Sequence, residues 1–180
     1  MRPAWTALFL ALTLAPALAQ PKSQIDRWFA DLARAESAED AKPIEEKLEA
    51  AFRQSGSPSL DLLMTRAKAA VAAGDSKTAP TIMASVNRLA PNFAEGWRLR
   101  AMLDAAAGND GAAMVALQKA VTLNPRHIFA MADLAAMLED YGDKKAALAL
   151  YRKVLALDPR HEGAVDRSRA LEREVEGQGI

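Results

Sequence analysis

Few residues in this chain are of a type that could do chemistry, and their spacing argues against it. The two histidines, His127 and His161, each sit in a Pro-Arg-His turn, 34 positions apart. Sharing a metal, they would be single ligands on separate turns, without the i, i+4 pairing that zinc sites on helices use. They read as solvated turn residues leading into the next helix. The chain has no cysteine, and no serine stands in a nucleophile-elbow context, so no activated nucleophile is in view. Carboxylates are abundant, as at Glu45-Glu46, Glu139-Asp140 and from Glu172 to Glu176. They alternate with lysine and arginine, as on a solvated helix face, rather than facing each other across a cleft. The Asp-bearing turns lack the spacing of a calcium loop. The expectation is a non-enzymatic protein with no metal and no cofactor.

The elements that carry these residues are laid out periodically. Pro91, Pro125 and Pro159 are equally spaced; Ala113, Leu117 and Ala120 recur as Ala147, Tyr151 and Val154; Gly108-Asn109 recurs as Gly142-Asp143. The frame extends backwards through Gly74-Asp75, Ala79, Met83 and Val86 to Pro91. Three units follow, 60–93, 94–127 and 128–161. Each has the mid-unit glycine and closing proline of two helices joined by a turn.

These residues resemble the tetratricopeptide-repeat family, whose pattern is W-x2-L-G-x2-Y, then A-x3-F, then P. The third unit fits as Met131, Leu134, Ala135 and Leu138, then Ala147 and Tyr151, then Pro159. In the second, Trp97 and Ala101 fit, while Arg100 and Asp104 replace an apolar and an aromatic residue. In the first, Leu63, Ala67 and Ala70 fit and Arg66 departs. The resemblance covers about 100 of the 180 residues. It implies an all-α solenoid of antiparallel helix pairs wound as a right-handed superhelix.

Outside the repeats, Ile25, Trp28, Phe29 and Leu32 form one apolar helical stripe, and Ile44, Leu48, Ala51 and Phe52 a second. Ser37 and Asp40 have capping-box spacing, but Pro43 leaves two starts open, near Lys42 or earlier with a bent first turn. Residues 20–56 read as an N-terminal cap that buries its stripes against the first unit; the other reading is a partner-docking arm. The repeats with their lead-in span 57–161. Residues 162–180 read as a C-terminal capping helix and tail, with Ala164, Leu171 and Val175 on one side.

Residues 1–19 read as a secretory signal peptide: Arg2, an apolar run from Ala4 to Ala15, and Ala17-Leu18-Ala19 as the cleavage site before Gln20. The run is too short to span a membrane, so no membrane span is expected in the mature chain. The segment points to export, to a periplasm or as a secreted protein; the absence of cysteine is compatible with a periplasm, and the chain is similar to exported single-domain repeat proteins of Gram-negative bacteria. With 23 basic and 23 acidic residues, it lacks the positive field that nucleic acid requires.

What the resemblance implies for function is a scaffold that binds a protein or peptide in a concave groove lined by the first helix of each unit. The family's contact places fall on Asp61, Met64, Thr65, Lys68, Glu95, Arg98, Leu99, Met102, Phe129, Ala132, Asp133 and Ala136. Of these, Met64, Lys68, Arg98, Leu99, Met102, Phe129 and Asp133 are the candidate partner-binding residues. The family's carboxylate-clamp set is not reproduced, and an apolar floor favours a helix or extended apolar segment as ligand. Arg100 and Asp104, at i and i+4, read as an intrahelical ion pair; the functional alternative is that Arg100 and Arg66 offer guanidinium groups to a carboxylate. A subunit docked to an envelope complex, or self-associating through residues 24–55, is the alternative to the groove binder.

Overall fold

The computed structural model describes residues 23–177, and every regular element among them is a helix. In chain order these are α1 (Gln24–Leu32), α2 (Ala38–Phe52), α3 (Pro58–Ala72), α4 (Thr78–Leu89), α5 (Ala94–Ala106), α6 (Asp110–Leu123), α7 (Ile128–Asp140), α8 (Lys144–Leu157) and α9 (Glu162–Glu176). They form antiparallel pairs, α3 with α4, α5 with α6 and α7 with α8, with α9 packed on α8. The segment read as a signal peptide lies outside the described residues.

Each pair is built by the same local chemistry. The first helix ends in a left-handed glycine, at Gly74, Gly108 and Gly142 with φ of 71, 76 and 84°. The next residue donates back across the turn, Asp75 N to Ala70 O at 2.9 Å, and Asn109 N to Asp104 O and Asp143 N to Leu138 O at 2.8 Å each. This is the Schellman closure, and it needs a residue without Cβ at the turning point. The second helix ends one residue before Pro91, Pro125 or Pro159, at the C-caps Ala90, Asn124 and Asp158. Within each pair the close approach is made by alanines: Ala67 and Ala79, Ala101 and Ala113, Ala135 and Ala147 are all buried. Gly96 serves the junction of α4 and α5, where a Cβ would stand 2.9 Å from Asn87 Oδ1.

Ser37 caps α2 by accepting from Asp40 N at 3.1 Å, so the helix starts at Ala38 and Pro43 lies inside it. The proline deprives the Glu39 carbonyl of its donor. Both residues are exposed, so water can take the missing partner's place.

The N-terminal pair corrects the expectation of a cap on the first unit. Phe29, Leu32, Ala41 and Leu48 share one core cluster with Ile128, Met131, Tyr151 and Val154 of the third unit and Leu171 of α9. The first unit's own core, around Met64, Met83 and Val86, is a separate cluster. Helix α2 lies along the row of turns that join successive units. Glu45 meets Asp158 and Glu162, the Phe52 ring lies 4.6 Å from His127, and Arg53 reaches Glu95 at 4.0 Å. Helix α1 and the turn that follows it are gripped by two equivalent turn arginines. Arg126 bonds Asp26 at 2.5 Å and stands 4.2 Å over the Phe29 ring, while Arg160 donates to Ala35 O at 3.2 Å.

Leu48 is fully buried in this cluster. Leu48→Ala is expected to lower the unfolding free energy by about 2–5 kcal/mol in urea titrations. A loss below about 1 kcal/mol would mean that α2 is only loosely seated.

Candidate functional site

A cavity of about 640 Å³ lies between α3 and α5, with the C-terminal end of α2 as its third wall. Helices α3 and α5 open successive units, so their equivalent positions stand side by side: Met64 pairs with Arg98, Thr65 with Leu99, Lys68 with Met102. The floor is Met64, Met83, Leu99, Met102 and Leu103; Glu49, Arg53, Gln54, Asp61 and Lys68 supply the polar rim. Met102 is half-exposed, at 50%, and Val71 at the cavity edge likewise, at 53%. Methionine side chains of this kind offer an adaptable apolar surface.

The charged side chains of the wall differ in what they have left to offer a ligand. Arg98 Nε bonds Asp133 at 2.6 Å, and its second nitrogen lies 3.5 Å from Glu95 and 3.8 Å from Glu49. Burial works against its charge, but Asp133, Glu95 and Glu49 together hold it protonated above the usual arginine range. Arg53 is 2.5 Å from Glu49. Lys68 is exposed and forms no ion pair among the described residues.

Behind this rim is a buried polar centre. His127 is the N-cap of α7, and its Nδ1 accepts from Ala130 N at 3.3 Å. With Nδ1 accepting, the neutral ring carries its proton on Nε2, which donates to Glu95 Oε2 at 3.0 Å. Both side chains are fully buried. Glu95 Oε1 has no hydrogen bond, its cations Arg98 and Arg53 standing at 3.5 and 4.0 Å. The expectation of a solvated His127 is thus overturned: Phe52 of α2 covers the ring. His161, its equivalent one unit on, caps α9 in the same way and is only half-buried. Because the capping bond takes up Nδ1 and Glu95 takes up Nε2, neither ring nitrogen of His127 is available for proton transfer to a substrate. Among the described residues, no group of three His, Cys, Asp or Glu could hold a metal ion.

Five of the candidate residues, Met64, Lys68, Arg98, Leu99 and Met102, come together in the cavity wall. Phe129 and Asp133 do not. Phe129 packs edge-on against Phe52 at 6.3 Å and under Arg98 at 5.6 Å, which ties it to the N-terminal pair, and Asp133 is the counter-ion of Arg98. Arg100 forms the intrahelical pair with Asp104 at 2.8 Å, and neither it nor the exposed Arg66 lines the cavity. Glu95, which falls on a family contact place, is turned inward, and Glu45, which reads as part of a solvated pair, faces Asp158 across the seam with α8 and α9. The signal for Glu95 and His127 was available in part: a turn histidine directly before a helix is in position to cap it.

No family model matches the chain. It is 29% identical over 127 residues to a TPR repeat-containing protein of Rhizobium etli, covering 71% of this chain and 62% of that one. The match therefore spans about three fifths of the relative's length. Among solved structures it is similar to the Sgt2 TPR domain from Aspergillus fumigatus, with TM-score 0.60 and 21% identity, covering 68% of this chain and 82% of that one. It is also similar to the first TPR domain of Spaghetti, solved with an HSP90 peptide, with TM-score 0.60 and 18% identity over 65% and 93% of the two chains. The P58(IPK) TPR domain matches 84% of this chain and 41% of its own, with TM-score 0.58 and 21% identity. At these identities the likeness is one of fold.

The different settings of the two large apolar candidates separate in stability. Phe129→Ala is expected to cost about 2–3 kcal/mol and Met102→Ala less than about 1 kcal/mol, measured by chemical denaturation. Equal costs would mean that the cavity floor is as tightly filled as the seam.

Proposed function

We propose that the chain is a tetratricopeptide-repeat protein that works as a non-enzymatic interaction module, whose cavity between α3 and α5 receives an apolar segment of a protein partner. The observation that carries this is an open apolar floor with a half-exposed methionine; a domain of similar fold, that of Spaghetti, is bound to an HSP90 peptide. The occupant is short. Helix α2 closes one side of the cavity, so it admits a few side chains of a helix or extended segment rather than a long peptide running the length of the repeats. The alternative of a subunit docked through residues 24–55 loses support, because the apolar stripes of that segment are spent inside the molecule.

Peptides selected against the intact protein from a display library test the reading. Met102→Asp should weaken the selected peptides at least ~30-fold in fluorescence anisotropy without changing the thermal midpoint, since a buried interface anchor contributes about 2 kcal/mol or more. Selected peptides that bind the variant as tightly as the parent would contradict it.

We further propose export to the periplasm, or secretion, on the character of residues 1–19 alone. No helix of the described residues is long and apolar enough to cross a membrane. The intact mass of exported protein should correspond to a chain that starts at Gln20; a soluble exported form that retains residues 1–19 would contradict it.

A further inference from the structure

Three carboxylates from three elements meet where α2 crosses the end of the solenoid. Asp158, the C-cap of α8, is fully buried. Its Oδ1 accepts from Arg160 N at 3.2 Å, but its Oδ2 is buried without a donor. The side chain lying against it is the Glu45 carboxyl of α2, with Glu162 in the first turn of α9 beside them and the cation of Lys42 on α2 acting against their charge. No metal-holding group forms there. Two ionised carboxylates repel; with one proton between them they form a short, strong hydrogen bond.

We propose that this seam is a proton-operated latch, in which docking of α1 and α2 along the inter-unit turns depends on one proton shared by Glu45 and Asp158. The same helix and the two residues after it supply Glu49, Arg53 and Gln54 to the cavity wall, so release of the latch would take away that wall. The proton would then regulate access to the cavity, a consequence that rests on the binding function proposed above; the latch itself does not. Burial, then Asp158 and Glu162, push the Glu45 carboxyl up from 4.5 to about 7. The docked state therefore binds more protons than the undocked one. Its stability is full below the ordinary glutamate range and declines as pH rises toward about 7. The Asp26–Arg126 ion pair of the seam does not titrate in that window, because the Arg126 bond, with Ser23 assisting, holds Asp26 at about 2.

Amide hydrogen exchange of residues 38–52 in the intact protein, corrected for intrinsic rates, measures the docking equilibrium without a partner. Between about pH 5 and about pH 8 the protection of α2 should fall at least about tenfold, against a ceiling of about 300-fold for the full shift before solvent screening. Glu45→Gln, whose amide donates to Asp158 with no titratable proton, should keep the protection constant over the same range. Asp158→Asn, which supplies a donor from the other side, should do the same and guards against a fold defect in either variant. Unchanged protection in the parent would overturn the latch. So would an equal pH response in both variants, which would assign the effect to another group. Failure of Met102→Asp to weaken peptides would instead overturn the cavity reading and leave the latch standing.

Discussion

The structure depends on one contact, the passage of α2 along the turns between units. Packed helix pairs repeat every ~8–10 Å, and an α-helix advances 1.5 Å per residue, so about seven residues of α2 span one unit. Glu45 at the Asp158 turn and Phe52 at the His127 turn are separated by that number. The next two residues, Arg53 and Gln54, reach from there to the Glu95 turn. The N-terminal pair thus bridges three junctions that would otherwise be held only by neighbour-to-neighbour packing, as in a simple repeat array.

This splint accounts for polar groups that would be anomalous in an open solenoid. His127, Glu95 and Asp158 are buried because α2 roofs the helix ends that carry them. Each is then held by what the roof leaves available: a helix N-terminus and a carboxylate for His127, two guanidinium groups for Glu95, a neighbouring carboxyl for Asp158. Removing Arg98 alone would leave Glu95 Oε1 with only the more distant Arg53 as its cation, the costly way to weaken a buried charge cluster. The same roof sets the shape of the cavity. It ties Phe129 to Phe52, engages Arg98, and leaves the methionine and leucine floor between α3 and α5 open.

Much of the fold was legible in the residues because it is written locally and repeated. Gly74, Gly108 and Gly142, the three prolines and the alanines at the helix crossings each carry a short-range requirement, and their period placed six helices to within a few residues. The seat of the N-terminal pair was not legible. The stripes of α1 and α2 state that they must be buried but not against what, and the third unit is more than 70 positions away from Phe52. Burial of His127 and Glu95 follows from that seat, so the polar environment of both was misread together. In the cavity, the equivalence of positions one unit apart brought five of the candidate residues to one wall, while Phe129 was lost to α2 for the same long-range reason.

The direct test of where the N-terminal pair sits is paramagnetic relaxation. The chain has no cysteine, so Glu36→Cys carries a single spin label beside Ala35, the residue that Arg160 grips. Seated on the third unit, the pair should give strong broadening of amide signals from Arg160 through Ala164 and leave signals throughout α4 of the first unit sharp. Broadening of α4 with an unaffected α8–α9 turn would return the pair to the first unit and contradict the account.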